Sequence, residues 1–196
     1  MLRITGGEFR SRTLRTPRGD DVTRPWSALA REGICNLLRG HLPGGRVLDL
    51  FAGIGTMGLE AASRGAASVV MVERDRRIFA LLQENIETLG CGDRVSAIEA
   101  DALGTVAMLR GGKDLDVIFI DPPYASMQED VGRDRIMQHL PRLSECLTED
   151  GFLVLRTPLD PGKSPHTVDG LAGPEVHQYG RGMWVLLYAL ERTEAS

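Results

Sequence analysis

Asp121-Pro122-Pro123-Tyr124 closes the apolar run "LDVIFI" at its carboxyl end. Two prolines remove backbone donors and stiffen the turn. The Asp121 carboxylate and the Pro122 carbonyl then stand as acceptors with no proline N–H nearby to occupy them. A planar exocyclic amine needs such acceptors. They would draw its hydrogens aside and direct nitrogen lone-pair density toward an electrophile. Tyr124 offers a ring face for stacking, worth about 1–3 kcal/mol for a nucleobase. The alternative for the same residues is a rigid turn with a core tyrosine.

A second constellation lies upstream. "LDLFAGIGTMG" holds Asp49, Phe51 and Ala52, then Gly53-Ile54-Gly55-Thr56-Met57-Gly58, a formal G-x-G-x-x-G. Glu73 follows about twenty residues on, which on paper is the dinucleotide fingerprint. Asp49 argues otherwise, because a carboxylate aimed at a pyrophosphate is repelled. It suits a ligand with an ammonium group and a sulfonium centre, as in S-adenosylmethionine. Gly53 and Gly55 would admit the methionine part close to the backbone. Glu73 would accept hydrogen bonds from ribose hydroxyls. Asp101, followed by Ala102 just past the third strand, would receive the adenine amino group or orient the loop that does. A nicotinamide or flavin dinucleotide is the competing ligand, and a helix-capping Asp49 beside a glycine turn is the competing structural reading. In-line attack on a methyl group takes much of its rate from positioning. It requires no metal and no covalent nucleophile, and the four histidines (41, 139, 166, 177) are scattered.

These residues need a scaffold that brings loops together. Short β-branched runs occur at 46–51, 68–73, 94–100, 115–121 and 151–157. Helical patterns separate them at Met57–Arg64, Arg76–Leu89, Leu103–Arg110 and Asp134–Leu147. Such alternation predicts an α/β, doubly wound, mostly parallel sheet covered on both faces. Its ligands sit at the carboxyl ends of the strands, where both constellations fall. "EVHQYGRGMWVLLYALE" reads as an antiparallel hairpin turning at Gly180-Arg181-Gly182. "TPLDPGKSP" (157–165) reads as a loop and Thr193–Ser196 as a frayed end.

The chain has 196 residues, 42% hydrophobic and 26% charged, as a soluble domain with a small appendage would. No apolar run reaches the eighteen residues of a membrane span, and the N-terminus lacks a signal-peptide core. Cys35, Cys91 and Cys146 are odd in number and form no C-x-x-C. They are expected as reduced thiols of a cytoplasmic protein. The net charge of −4 hides an asymmetry, because residues 1–39 carry eight arginines against four acids. Within that stretch "LRITGGEFRSRTL" predicts a β-hairpin turning at Gly6-Gly7. Arg3, Arg10 and Arg12 would make it a shaped basic surface for a polyanion, with a solvated arginine-rich tail as the alternative.

"LDLFAGIGTMGLEAASRGA", "VVMVERD" and "FIDPPYA" resemble S-adenosylmethionine-dependent N-methyltransferases. The chain further resembles, over nearly its whole length, the RsmD-type family that methylates the exocyclic N2 of a guanine in 16S ribosomal RNA. The matching stretches include "LRITGGEFRSRTL", "RPWSALAREGICNLL" and "HQYGRGMWVLLY". The resemblance implies a seven-stranded, Rossmann-like class I methyltransferase sheet over residues 41–192, with an RNA-engaging hairpin and helix extension over 1–40. It implies S-adenosylmethionine at Asp49, Phe51, Ala52, Gly53, Gly55, Glu73, Asp101 and Ala102. The amine would sit at Asp121, Pro122, Pro123 and Tyr124, and RNA at Arg10, Arg12, Arg24 and Arg31. The partner would be the small ribosomal subunit or its 16S rRNA, met by a monomer with no metal. D-P-P-Y also serves DNA adenine and protein glutamine, and a non-catalytic RNA-binding module that keeps the cofactor is a third reading. The substrate side departs from the family pattern. Trp26 replaces the usual threonine, Ala28 and Leu29 replace a polar residue and an arginine, and Arg156 stands where an acid is frequent. Trp26 either stacks a base or packs under the arm.

Overall fold

Five β-branched runs become parallel strands. The computed structural model describes residues 2–17 and 26–191. Its parallel strands are β1 (Arg46–Leu50), β2 (Ser68–Glu73), β3 (Val95–Glu99), β4 (Leu115–Ile120) and β5 (Leu147–Thr157). The predicted hairpin supplies β6 (Leu171–Gln178) and β7 (Trp184–Leu190). The order across the seven-stranded sheet is β3-β2-β1-β4-β5-β7-β6, with β7 antiparallel to both its neighbours. The order reverses between β1 and β4, which pair in register at Leu50 and Ile120. The crevice beyond those two residues is the switch point at which such sheets hold ligands.

The period of two in each strand feeds two apolar clusters. Val117 and Phe119 of β4 join one with Leu59 of α2 (Thr56–Ser63) and Leu82 of α3 (Arg76–Leu89). Ile118 and Ile120 join the other with Ala107 of α4 (Thr105–Gly111) and Met127 of α5 (Tyr124–Gln128). Helix α3 spans its predicted residues because its punctuation is local. Asp75 accepts from the Arg77 and Ile78 N–H groups, and Gly90 ends the helix at φ +70°.

The helix expected over 134–147 does not form as one piece. α6 (Asp130–Met137) stops, and α7 (Leu140–Ser144) starts anew with Pro141 in its first turn. Proline has no N–H to continue a helix but fits at its start. Leu147 then opens β5, four residues ahead of the predicted strand, paired with Leu115. Among the described residues no helix is long and apolar enough to cross a membrane.

The N-terminal arm also differs from expectation. Arg3 and Thr13 form an isolated antiparallel bridge, flanked by Ile4 N–H donating to Arg12 O (3.0 Å) and Leu14 N–H to Leu2 O (2.9 Å). No extended strand pair turns tightly at Gly6-Gly7, because the arm's backbone is bonded elsewhere. The Glu8 N–H donates to Ser63 O (2.7 Å) and the Phe9 N–H to Ser63 Oγ (2.8 Å). At Gly7 (φ +78°) a Cβ would fall 1.8 Å from Ser63 O. Ile4, Phe9, Leu14 and Trp26 share a cluster with Val47 and Leu59, so arm and sheet have a common core. Ser27 starts the next helix, α1 (Ala28–Leu37), by accepting from the Ala30 N–H.

Candidate active site at the carboxyl ends of β1 and β4

A cavity of about 1270 Å³ opens at the switch point. Asp49, Phe51, Ala52, Gly53, Glu73 and Ala102 line one part, and Asp121, Pro122, Pro123 and Tyr124 another. Two residues expected there are absent from the wall. Gly55 (φ +89°) packs inward, where a Cβ would meet Leu82 Cδ1 at 2.6 Å. Asp101 Oδ1 accepts from the Leu103 N–H (3.0 Å) and its Oδ2 pairs with Arg135 (3.1 Å). Burial alone would raise its pKa, but those two bonds together with the charges of Arg135 and Arg74 hold the carboxyl below its ordinary range. Of the two roles read for Asp101, its geometry supports orienting the loop that carries Ala102.

The glycine loop has a distinct task at each glycine. Gly53 needs its φ of +57°, with open space where a Cβ would stand. Its N–H donates to Glu73 Oε2 (3.0 Å), which ties the loop to the end of β2. Gly58 lets α2 approach β2, since a Cβ there would lie 2.5 Å from Met71 Sδ. The Gly58 N–H donates to Asp49 Oδ2 (2.8 Å). Asp49 thus does hold the first turn of α2, as the structural alternative had it, and also lines the cavity.

The electrostatics of Asp49 point to what the cavity accepts. It is 1% exposed, and among the described residues no cation forms an ion pair with it. Burial pushes its pKa up to about 8. The Gly58 bond opposes that rise, while the charges of Asp121 and Glu73 add to it. A cationic ligand would complete this site, and an anionic pyrophosphate would worsen it.

The Asp121 end is built from three distant segments. Trp26 Nε1–H donates to Asp121 Oδ2 (2.8 Å), and Arg156 Nε lies 2.6 Å from Oδ1. The Arg156 guanidinium carbon stands 5.2 Å from the Trp26 ring centroid and 5.0 Å from that of Tyr124. Burial raises the Asp121 pKa to about 6, held from going higher by the Arg156 charge and the Trp26 hydrogen bond. Trp26, 2% exposed, packs with the arm. Sequence reasoning singled out Trp26 and Arg156 as departures without giving either a place on Asp121. It also missed Arg74 and Arg77 in the cavity wall, although "RDRR" follows the β2 acid directly.

The four arginines expected to face RNA part company. Arg10 and Arg12 are exposed, with Arg12 Nη2 donating to Thr88 O (2.7 Å). Arg24 lies outside the described residues. Arg31 is a correction. It is 3% exposed, pairs with Glu60 at 2.7 Å and donates to Arg3 O at 2.6 Å. It lies on the buried face of α1, so it cannot reach a phosphate.

A family model described as conserved hypothetical protein 95 matches residues 2–188. The Bacillus subtilis protein YlbH, named as a candidate rRNA methyltransferase, is 31% identical over 180 residues, covering 91% of this chain and 94% of that protein. Ribosomal RNA small subunit methyltransferase D of Escherichia coli is 35% identical over 124 residues. That match covers 63% of this chain and 61% of the relative, so it spans less than two thirds of the relative's length. The solved structure of yhhF from Escherichia coli, named as a candidate methyltransferase, is similar at a TM-score of 0.79 with 27% identity. It covers 97% of this chain and 98% of that one.

Proposed function

The chain belongs to the conserved hypothetical protein 95 family, that of the RsmD-type methyltransferases, and from that premise we propose that it methylates the exocyclic N2 of a guanine in small-subunit (16S) ribosomal RNA with S-adenosylmethionine as donor. One observation carries the reading: a single cavity holds Asp49, a buried carboxylate with no counter-charge among the described residues, and the turn Asp121-Pro122-Pro123-Tyr124, read as accepting an amine. The donor's chemistry fits the residues present. Its ammonium and sulfonium charges answer Asp49, and its ribose hydroxyls suit Glu73 beside the open Gly53.

When bound, S-adenosylmethionine supplies an electrophilic methyl group on a positively charged sulfur. Asp49 and Glu73 hold and orient that donor. The Asp121 carboxylate and the Pro122 carbonyl accept the hydrogens of the target amine and set its lone pair toward the methyl. Tyr124 aligns the base by stacking. The nitrogen sheds one proton as it gains the methyl, and the Asp121 carboxylate would accept it. Positioning and a prepared electrostatic field supply the rate enhancement. The arm within residues 1–40, through Arg10, Arg12 and Arg24, would guide the RNA to a monomeric, cytoplasmic enzyme.

The test is transfer from labelled S-adenosylmethionine to small ribosomal subunits from cells lacking the gene, with the modified base mapped by mass spectrometry. One N2-methylguanine, lost in Asp121→Ala, is the expected result. No incorporation into subunits or free rRNA, with S-adenosylmethionine still bound, would refute the substrate and leave the cofactor.

A further inference from the structure

Asp121 is held from two sides by residues that the scheme above does not use. We propose that Arg156 and Trp26 are positioning residues for Asp121, together fixing its carboxylate as an ionised acceptor in one orientation for the substrate amine. The inference rests on the reading of Asp121 as the amine's acceptor.

Three features carry it. First, the two carboxylate oxygens face different segments: Oδ1 lies 2.6 Å from Arg156 Nε of β5 in an ion pair, and Oδ2 accepts from Trp26 Nε1–H at 2.8 Å. The carboxylate cannot turn about its own axis without losing one partner. Second, the partners are themselves immobile. Arg156 is 4% exposed and paired through its backbone with Val185 of β7. Its guanidinium carbon lies 5.2 Å from the Trp26 ring centroid and 5.0 Å from that of Tyr124, and such rings attract a cation through their faces. Third, the surroundings are acidic. The charge of Asp121 is felt by Asp49 on neighbouring β1, and Glu73 of β2 adds to it. Tyr124 of α5 contributes a phenol, and Arg156 is the cation in contact with the carboxylate. A buried carboxylate robbed of its cation takes up a proton instead of staying charged. A protonated Asp121 loses acceptor capacity that the amine needs. Lysine is no equivalent, because its compact point charge lacks the planar, weakly hydrated guanidinium that can face aromatic rings while pairing with a carboxylate.

The experiment is a carboxyl-carbon NMR titration of Asp121 in the ligand-free full chain, paired with the pH profile of kcat for methyl transfer. Arg156→Gln should move the Asp121 titration upward by about one to three pH units. The acid limb of kcat should follow by the same amount, with KM for S-adenosylmethionine unchanged. Arg156→Lys should recover part of the displacement. Trp26→Phe keeps a ring and removes one hydrogen bond. It should produce a smaller rise in the same direction, and it serves as the test if Arg156→Gln does not fold. An Asp121 titration unmoved in these variants, in a chain that transfers methyl, overturns the proposal and spares the functional reading. A titration that moves in a chain that methylates no amine supports the clamp and refutes that reading instead.

Discussion

Arg31 and Glu60 meet 2.7 Å apart inside the protein, with Glu60 out of contact with solvent and also bonded to Arg64 and Thr5. Glu60 therefore ties α1 and the N-terminal arm to α2. Removing Arg31 leaves Glu60 with Arg64 as a cation but takes the donor from the Arg3 carbonyl, at a cost of about 2 kcal/mol, short of the penalty for a fully stranded charge. Arg31→Ala should lower the stability measured by urea unfolding by that amount. A loss below about 1 kcal/mol would mean that the pair is not buried in solution.

Asp49 sets a pH dependence of unusual sign. Its folded pKa, about 8, lies above the ordinary 3.8. Between those values the folded state holds a proton that the unfolded state has released, so Asp49's contribution to stability falls as pH rises through that window. Asp49→Asn keeps an acceptor for the Gly58 N–H and carries no charge. It should melt above the wild type at pH 8, by more than about 1 kcal/mol, and the gap should close toward pH 4. Ligand binding should show the opposite trend. Affinity of the native chain for S-adenosylmethionine should rise with pH up to about 8, with proton release, and be weak at every pH in Asp49→Asn. Calorimetry in buffers of different ionisation enthalpy checks both, and a pH-independent affinity would remove Asp49 from the cofactor site.

Arg10 and Arg12 are exposed members of the basic arm, within reach of a polyanion. Replacing both with alanine should weaken RNA binding and reduce the slope of log K against log salt by about 1 for each lost phosphate contact. Arg31→Ala should leave that slope as it is, since its guanidinium is spent on Glu60 and Arg3 O. Filter binding across a salt series separates the two. Equal slopes in the native chain and the Arg10/Arg12 double variant would exclude the arm as an RNA contact.

What the sequence made legible was local. Asp75 and Gly90 bound α3 within a few residues of themselves, and the β-branched runs placed Asp49, Glu73 and Asp121 at strand ends. What escaped was decided across the chain. Trp26 meets Asp121 over 95 residues of separation, and Arg31 meets Glu60 over 29. No spacing rule encodes such pairs, because an arginine on an exposed face and one on a buried face look alike until a partner acid is placed. The arm's two strand-like runs predicted a hairpin, but only the Arg3–Thr13 bridge forms, because Ser63 of α2 accepts from the Glu8 and Phe9 N–H groups.

That docking limits how freely this protein could be rebuilt. Helix α2 starts at the glycine loop and ends at Ser63, a length of about 12 Å at 1.5 Å per residue. The arm's anchors, Glu60 and Ser63, occupy its last turns, while Gly58 and Asp49 join at its first. Residues 2–17 are consequently no interchangeable cassette. A foreign arm must bring a glycine at position 7 and backbone donors that meet Glu60 and Ser63 of the host, or it will disturb the helix whose other end shapes the cofactor loop.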